Sequence, residues 1–336
     1  MPTRVGLREV AQRAGVSIAT VSNTLNRPER VSDTTRERVL AIMEQMGFVR
    51  NELARQLRTG GTMTIGMVVL NIANPFFASL AHAVEDAAEA LGCTTVLGSS
   101  GQKASWERRY LDLFEEQQSK GVLIAPLGGI TARMRELHSR GMPMVVFGSE
   151  EQPDFCTVTL DGRRGGYLAT RHLIEAGHRH IAFLGGPLGQ VDDRWTGALQ
   201  ACAEVSGARL VHIDTADQTM NEGHRAAAIL GDMSPQGRPD AVFAANDLLA
   251  LGLLQGLVAD GRIRVPSDLA VIGYDDIDYA ASGLIPLSTV RQPVDELAHS
   301  AVRLLVEEAD APEAHRHQAL RIAPELIVRC STTRGA

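Results

Sequence analysis

The residues that could support catalysis or hold a metal ion are scattered along this sequence. Two histidine pairs, His178 with His180 and His315 with His317, each stand two positions apart in polar or turn-like surroundings. No third or fourth ligand is evident from the spacing, whereas zinc sites use three or four protein ligands. We therefore expect surface histidines and predict no metal site.

The cysteines and the glycine-rich segments also lack a catalytic pattern. The four cysteines form no close pair, which is typical of reduced thiols in a cytoplasmic protein. Gly185–Gly189 has neither the dinucleotide-binding nor the P-loop spacing, and Gly98–Gly101 is not the G-x-S-x-G of a hydrolase nucleophile. The sequence therefore predicts neither an enzyme nor a bound cofactor.

From Met63 onward, short apolar segments alternate with helical segments, which predicts a doubly wound α/β body. The rhythm restarts near His180, so we expect two lobes of one architecture with a ligand cleft at the carboxyl ends of their strands. The predicted strands are Thr64–Leu70, Thr94–Gly98, Gly121–Pro126 and Pro143–Gly148, followed in the second lobe by His180–Gly186, Arg209–Ile213, Ala241–Asp247 and Leu269–Asp276.

The first sixty residues predict a helix-turn-helix unit instead. Apolar residues from Leu7 to Ala14 recur on one helix face, and Gly15 ends that helix. Ser17 is a good N-cap for a second helix that runs from Ile18 to about Leu25. A third helix, from about Asp33 to Met46, completes a small all-α head.

The charge of the 336-residue chain is divided between these two parts. Residues 1–60 hold ten Arg and six acidic residues, a net charge of +4, whereas the remainder holds 23 basic and 34 acidic residues, a net charge of −11. A basic head on an acidic body confines the attraction for phosphates to one end of the chain. The overall charge of −7 is thus compatible with nucleic-acid binding.

The string LREVAQRAGVSIATVSNTLN (Leu7–Asn26) closely resembles the DNA-binding head of the LacI/GalR family of bacterial transcription factors. The similarity continues through RVSDTTRERVLAIMEQMGFVRNELARQLRTG (Arg30–Gly60). It extends over the body in strings such as LDGRRGGYLATRHLIEAGHRHIAFLGGP (Leu160–Pro187) and AANDLLALG (Ala244–Gly252). The resemblance covers nearly the whole chain and implies two parallel-sheet lobes of the periplasmic-binding-protein-like type.

The resemblance also implies a division into three segments. Residues 1–50 would form the DNA-binding domain, residues 51–61 a hinge helix with its linker, and residues 62–336 the effector-binding and dimerisation domain. The N-lobe would comprise about 62–161 and 292–322, and the C-lobe about 162–291 and 323–336, with crossovers near Asp161, Arg291 and Ala323.

The same resemblance gives roles to residues of the head. Ile18, Ala19 and Asn23 match the base-reading positions of the recognition helix, and an Asn can bond adenine N6 and N7 together. The alternative for Ile18 is a core position in the helical bundle. The other positions of the head that we expect to contact DNA, mainly its phosphates, are Ser17, Thr20, Ser22, Asn26, Arg30, Ser32 and Thr35.

Asn51–Arg58 resembles the hinge helix of the family, in which two such helices of a dimer pack in the minor groove. Leu57 matches the leucine that wedges into a base step, Ala54 is small enough for close helix contact, and Arg55 is also expected to contact DNA. The alternative is an ordinary amphipathic linker helix packed on the body.

The resemblance further implies a pocket for a small effector, expected to be a carbohydrate. Phe76 matches an aromatic platform for a sugar ring, and Arg194 a charged donor facing the cleft. A position in a plain turn is an equal alternative to ligand contact for Ser100, and core packing is an equal alternative for Trp195. Asp247 is expected to cap the next helix. The expected effector-binding residues are Asn74, Phe76, Ser100, Arg194, Trp195, Asn246, Asp275 and Gln292.

Two positions depart from the family pattern. Many members carry an Arg soon after the strand at Met144–Phe147, where this chain has Gly148-Ser149-Glu150, and this leaves the effector class open. The usual Asp-Asn before the Gly-Gly pair is Asp161-Gly162 here, at a crossover between the lobes.

The resemblance therefore implies an effector-responsive repressor, and we expect it to bind double-stranded, pseudo-palindromic operator DNA as a homodimer or a tetramer. The alternatives are a solute-binding protein without regulatory role, against which the first sixty residues argue, and an enzyme, for which no nucleophile or metal constellation is evident. No apolar run approaches the ~20 residues that span a bilayer, so we expect no membrane partner and a cytoplasmic location.

Overall fold

The computed structural model describes residues 5–48, 62–148 and 153–333, and it divides the chain into two compact units, Met1–Thr62 and Met63–Ala336. In the first unit, three helices pack around a small apolar core formed by Val10, Ala11, Ala14, Val21, Val39 and Met43. These helices are α1 (Leu7–Ala14), α2 (Ile18–Asn26) and α3 (Asp33–Gln45).

The turn between α1 and α2 explains why this segment folds as a helix-turn-helix. Gly15 has a φ of 67°, a left-handed conformation that favours glycine, and it ends α1 as predicted. Ser17 then begins α2, because its side-chain oxygen accepts a hydrogen bond of 3.0 Å from the backbone N–H of Thr20.

The second unit consists of alternating strands and helices that build two sheets. The elements of its first half are β1 (Thr64–Val69), α4 (Pro75–Glu89), β2 (Thr94–Ser99), α5 (Ala104–Glu116), β3 (Gly121–Ile124), α6 (Ala132–Ser139), β4 (Met144–Phe147) and β5 (Cys156–Leu160). Its second half contains α7 (Gly162–Glu175), β6 (His180–Leu184), α8 (Asp192–Ala203), β7 (Arg209–Ile213), α9 (Met220–Asp232), β8 (Ala241–Ala244), α10 (Asp247–Asp260), β9 (Ala270–Ile272), α11 (Asp278–Ser282), β10 (Thr289–Arg291), α12 (Val294–Asp310), β11 (Ala319–Ile322) and β12 (Glu325–Ile327).

The strands form two parallel sheets, as the fold prediction required. The first has the order β11-β5-β4-β3-β1-β2 and the second the order β7-β6-β8-β9, while β10 and β12 pair antiparallel as a separate ribbon. The core of the first lobe includes α12, and the core of the second includes α7. The chain therefore crosses between the lobes three times: after β5, after β10 and after β11.

Strand boundaries and two strands of the first sheet differ from the sequence-based expectation. β5 and β11, the pair at one edge of the sheet, were not predicted, and Leu269–Asp276 forms a strand only over Ala270–Ile272. Beyond Ile272 only isolated bridges continue the pairing, from Ile272 to Ser288 and from Asp275 to Arg291, and Asp275 and Asp276 have positive φ values of 117° and 58°.

Helices α7 and α8 approach each other closely at glycine positions. A Cβ atom at Gly197 would lie 1.9 Å from the carbonyl oxygen of Arg163, and one at Gly166 would lie 2.0 Å from the carbonyl oxygen of Arg194. Only glycine permits this contact, which fixes α8 and the side chains that it carries into the cleft. Among the described helices, none is long and apolar enough to cross a membrane.

Candidate ligand cleft and DNA-binding surface

A cavity of about 120 Å³ lies between the carboxyl ends of the two parallel sheets. Most of its lining residues are polar: six amides, two carboxylates and one guanidinium lie around three apolar side chains. The lining residues are Leu70, Asn71, Asn74, Phe76, Phe77, Gln102, Gln190, Arg194, Asp217, Gln218, Asp275 and Gln292.

Asp275 is the most deeply placed acid of the cavity, and it is only 6% exposed. Burial raises its pKa to about 6, although Arg194 and the hydrogen bonds from Gln292 and Asn74 act in the opposite direction. Its positive φ is uncommon for a residue other than glycine, and such backbone is found most often at functional sites. Asp275 is therefore held in place by Gln292 and Asn74 in the cavity lining, with a pKa above that of an ordinary aspartate.

Arg194 is held from two sides by contacts within the second lobe. Its Nη1 donates a hydrogen bond to the carbonyl oxygen of Ala245, and its guanidinium carbon lies 3.8 Å from the centroid of the Tyr274 ring. Burial raises the pKa of Tyr274 to about 12, so the ring remains neutral. The cation–π contact and the hydrogen bond together orient the remaining N–H groups.

Asn74 and Phe76 enter the cleft at the start of α4. Asn74 caps this helix by accepting a hydrogen bond of 3.1 Å from the backbone N–H of Phe76, with Pro75 in the first helical position. Phe76 packs against the apolar cores of both lobes and lies edge-to-face with Phe77, 5.2 Å between centroids. Its ring is thus an apolar wall between the lobes.

A chain of amide hydrogen bonds joins the two lobes beside the cavity. Gln102, from the first lobe, donates to Asp217 at 3.4 Å and accepts from Gln190 at 3.0 Å. Gln190 in turn accepts a hydrogen bond of 3.4 Å from Gln218. Any change in the distance between the lobes must break or rebuild these bonds.

The structure places three of the predicted effector residues outside the cavity lining. The Ser100 hydroxyl points back to the carbonyl oxygens of Val69 and Leu70, at 3.3 and 3.4 Å. The Trp195 ring packs 5.5 Å from the ring of Phe183. Asn246 is buried and bonds the backbone, where its Nδ2 donates 3.1 Å to the carbonyl oxygen of Gln218 and so supports a lining residue.

Asp247 does not cap α10 as predicted, because Asn246 does so by accepting a 2.9 Å hydrogen bond from Leu249. The Asp247 carboxylate instead accepts hydrogen bonds from the backbone N–H of Ile277 and from the hydroxyl of Thr289. Burial, together with the charge of Asp275, raises its pKa well above the usual range.

Several lining residues were missed by sequence reasoning, namely Asn71, Gln102, Gln190, Asp217 and Gln218. All of them follow the carboxyl end of a strand, so the rule that located the cleft could also have found them.

The head presents the start of α2 to solvent. Ser17, Ile18 and Ala19 are exposed, and Ile18 is 45% exposed, so the alternative of a core position for Ile18 is wrong. Asn23 is half-buried, and Ser32 donates a hydrogen bond of 2.9 Å to Thr35 at the start of α3. The remaining predicted DNA contacts of this unit are the half-buried Thr20 and Ser22 and the exposed Arg30.

Some predicted positions lie outside the described residues. These are Ala54, Arg55 and Leu57 of the expected hinge helix, Ser149 and Glu150 of the departure from the family pattern, and the side chain of Asn26.

The expectation that His315 and His317 have no further candidate ligands nearby is wrong. Cys156 and Glu308 lie beside them, and all four offer ligand atoms within 4.8 Å of one another. The sequence did not reveal this group because Cys156 is about 160 residues away along the chain.

A helix-turn-helix unit joined to a two-lobed α/β body with a polar cleft is the architecture of an effector-binding transcription regulator. Residues 6–51 match the bacterial regulatory proteins of the lacI family, and residues 170–332 match the periplasmic binding protein-like domain. The chain is 32% identical over 334 residues to the HTH-type transcriptional repressor PurR of Photobacterium profundum. The alignment covers 97% of this chain and 98% of that protein.

Solved structures are similar over the same length. The Lac repressor dimer bound to operator and the anti-inducer ONPF matches with a TM-score of 0.81 and 25% identity, covering 99% of this chain and 100% of that one. The complex of the transcriptional regulator CelR with cellobiose matches with a TM-score of 0.70 and 33% identity, covering 98% and 100%. The chain belongs to the LacI family, and it is a DNA-binding transcriptional regulator controlled by a small-molecule effector.

Proposed function

We propose that the protein is a dimeric repressor whose cleft binds a small, neutral, polyhydroxylated ligand of the sugar class, and that this ligand controls its affinity for operator DNA. The observation that carries the proposal is the lining of the cavity, in which amides and carboxylates surround the Phe76 ring. Each buried sugar hydroxyl needs a hydrogen-bond partner, and the faces of a sugar ring pack on aromatic rings.

The charges of the cleft favour a neutral ligand. Arg194 is the one cation among the lining residues, and Asp217 and Asp275 supply two carboxylates. A phosphorylated ligand would face net negative charge, and Arg194 is already engaged by Ala245 and Tyr274. Amide side chains donate and accept without net charge, which suits alternating hydroxyl groups.

The size of the cavity supports a small ligand. Its volume of about 120 Å³ is below the range of about 300–1,000 Å³ typical of pockets for drug-sized molecules. A single sugar ring therefore agrees with the conformation described here better than a longer oligosaccharide does. The CelR complex contains cellobiose, so the length of the ligand is a point that the experiment must test.

The exposed end of α2 supports the DNA-binding half of the proposal. Ile18 and Ala19 present apolar surface suited to a thymine methyl group, and Asn23 can bond an adenine. One recognition helix reads a short half-site, and pseudo-palindromic operators are read by two heads related by two-fold symmetry.

An exposed apolar edge on the first lobe supports the dimer. Strand β2 ends its sheet with Val96 and Leu97 exposed by 38% and 39%, and Trp106 of the adjacent α5 is 43% exposed. An uncovered edge strand with apolar side chains is prone to association, and a second copy of the chain would cover it. Leu97→Lys should therefore shift the protein towards monomer in sedimentation velocity and weaken operator binding.

The hydrogen bonds of the amide side chains between the lobes supply a route by which a ligand could control operator affinity. A ligand that binds one degree of lobe closure more tightly shifts the population towards that form. Ligand and operator then alter each other's affinity by the same factor, commonly about 5- to 150-fold.

The test begins with selection of the operator from random duplexes, followed by fluorescence anisotropy with neutral sugars, their phosphates, disaccharides and nucleobases. We expect one neutral sugar to change operator affinity at least fivefold, and its phosphate to bind more weakly. Tighter binding of a phosphate or a nucleobase would contradict the proposed ligand class, and the absence of a preferred duplex would contradict the DNA-binding role.

A further inference from the structure

Four potential metal ligands meet at the amino-terminal ends of β5 and β11, in a part of the first lobe that the proposed function does not use. Cys156 is the first residue of β5, and Glu308 lies in the last turn of α12. His315 and His317 belong to the segment that joins α12 to β11. Each side chain offers a ligand atom, and the four atoms lie within 4.8 Å of one another.

The distances at the centre of this cluster are close to those of a tetrahedral site. Cys156 Sγ lies 3.1 Å from Nε2 of His315 and 3.8 Å from Nδ1 of His317. Zinc–sulfur bonds of about 2.3 Å and zinc–nitrogen bonds of about 2.1 Å place tetrahedral ligand atoms about 3.3–3.6 Å apart. Small side-chain rotations would therefore bring all four groups onto one ion.

Glu308 provides an independent observation that points to a cation. The residue is only 7% exposed, and its Oε2 atom is buried without a hydrogen-bond partner among the described residues. Its other oxygen, Oε1, lies 2.7 Å from Nε2 of His138. A buried carboxylate oxygen is normally paired, and a bound ion is one of the few reasons for an unpaired one.

The surroundings resemble the outer shell of a metal site. His138 orients the Glu308 carboxylate, and the backbone N–H of Gln318 points at Cys156 Sγ at 3.4 Å. Outer-shell partners of this kind fix the ligands of a metal in place, and an N–H group stabilises a thiolate.

We propose that Cys156, Glu308, His315 and His317 bind one divalent zinc-type ion as a structural site. One thiolate, two imidazoles and one carboxylate are ligands that Zn²⁺ accepts in tetrahedral geometry, and a closed four-ligand set is typical of structural sites. On binding, the Cys156 Sγ–H bond is replaced by an Sγ–Zn bond and the proton is released to solvent.

The position of the site gives it a structural role that is separate from the cleft. The ion would tie the end of α12 and the 311–318 connection to β5, and so hold β11 at the edge of its sheet. The cleft lies at the opposite ends of these strands, and the five residues of β5 span about 13 Å. We therefore expect the metal to change stability and to leave ligand affinity in the cleft nearly unchanged.

The experiment uses the full chain after removal of metal with a chelator. Titration with Zn²⁺ alone by calorimetry should give one ion per chain, and Zn²⁺ should raise the Tm. Substitution with Co²⁺ should produce the intense visible bands of a tetrahedral site and a thiolate-to-cobalt charge-transfer band.

The variants separate this site from adventitious binding. His317→Gln and Cys156→Ser should each weaken Zn²⁺ binding by at least tenfold and abolish the Tm shift, and Cys156→Ser should also remove the charge-transfer band. Because His317 is partly exposed, its variant should fold even if the Cys156 variant does not. Cys202→Ser, a buried cysteine of the other lobe, and His299→Gln, an exposed histidine of α12, are the matched controls and should bind as the native chain does.

Two results would overturn the proposal. One is a native chain that takes up no Zn²⁺ in excess metal, in which case the cluster is a hydrogen-bonded group only. The other is Zn²⁺ binding of unchanged stoichiometry and affinity in His317→Gln, because the ion would then lie elsewhere. Neither result bears on operator or sugar binding, so failure here leaves the proposed function intact.

Discussion

The guanidinium carbon of Arg194 lies 3.8 Å from the centre of the buried Tyr274 ring. Tyr274 immediately precedes Asp275. The same short segment therefore supplies both the ring on which Arg194 stacks and the carboxylate of Asp275 in the cavity lining. Contacts with Ala245 and Tyr274 hold the guanidinium in this position. Binding therefore loses little free energy to the ordering of a long side chain.

Arg194→Lys should weaken binding of the sugar ligand by about 10- to 100-fold, because hydrogen bonds to charged groups contribute about 1.5–3 kcal/mol. Lysine keeps the charge but cannot bond Ala245, stack on the ring and reach the ligand together. Calorimetric titration measures the loss. Tyr274→Phe, which retains the ring, should stay within threefold of the native affinity, and equal losses in both variants would contradict the role of Arg194 as a ligand donor.

Asp275 should make the free protein less stable as the pH rises. Burial raises its pKa from an ordinary 3.8 to about 6. The folded chain therefore binds this proton more tightly than the unfolded chain, and the free energy of unfolding should fall between about pH 4 and 6 by at most about 3 kcal/mol. Denaturant unfolding of the native chain and of Asp275→Asn at several pH values measures this contribution together with the accompanying change at Asp247, whose pKa the charge of Asp275 also raises.

We expect Asp275→Asn to gain stability relative to the native chain above about pH 6 and to gain little near pH 4, as the sign of the pKa shift requires. The affinity of the native chain for the ligand should rise as the pH rises through this range, because the ionised carboxylate is the better acceptor for a hydroxyl group. A stability difference that does not vary with pH would mean that Asp275 titrates at its ordinary value.

The strand-end rule predicted where the cleft lies, the resemblance predicted part of its lining, and local backbone conformation decided the rest. Asn74, Phe76, Arg194, Asp275 and Gln292 line the cavity as the resemblance implied. Two positions after Ser100, by contrast, Gln102 has a φ of 58°, so the chain turns there and presents the amide to the cleft while the serine bonds β1. A single sequence does not reveal such a turn.

The sequence predicted the fold more completely than it predicted the residues of the site. Apolar periodicity indicated the head and the alternation of the body, because buried faces repeat at fixed spacing. The pairing of β5 with β11 joins segments about 160 residues apart, and no local pattern encodes it. The four-ligand cluster depends on that pairing and was missed for the same reason.

Gly197→Ala should destabilise the body by about 1–3 kcal/mol, the usual cost of forcing extra atoms into a packed interior. The new methyl group would lie 1.9 Å from the carbonyl oxygen of Arg163 and would push α8 away from α7. Since Arg194 lies one turn earlier on α8, ligand affinity should fall as well. Denaturant unfolding and calorimetry measure the two effects.

The matched control for the α8 glycine is Gly128→Ala, because a Cβ atom at Gly128 would have no atom within 4 Å. This variant should differ from the native chain by less than about 0.5 kcal/mol, as is usual for surface substitutions. Equal stability of the Gly197 and Gly128 variants would show that α7 and α8 can separate without cost.

Asn23→Ala should relax base preference at one position of each half-site and cost about 1–3 kcal/mol per head, because a side-chain amide can bond adenine N6 and N7 together. Anisotropy with duplexes mutated one base pair at a time measures this change. Arg30→Ala is the contrasting variant. Arg30 is exposed and is expected to contact a phosphate, so its loss should weaken all duplexes alike and reduce the salt slope by about one. If Asn23→Ala also weakened every duplex equally, Asn23 would contact the phosphates, and base reading would fall to Ile18 and Ala19.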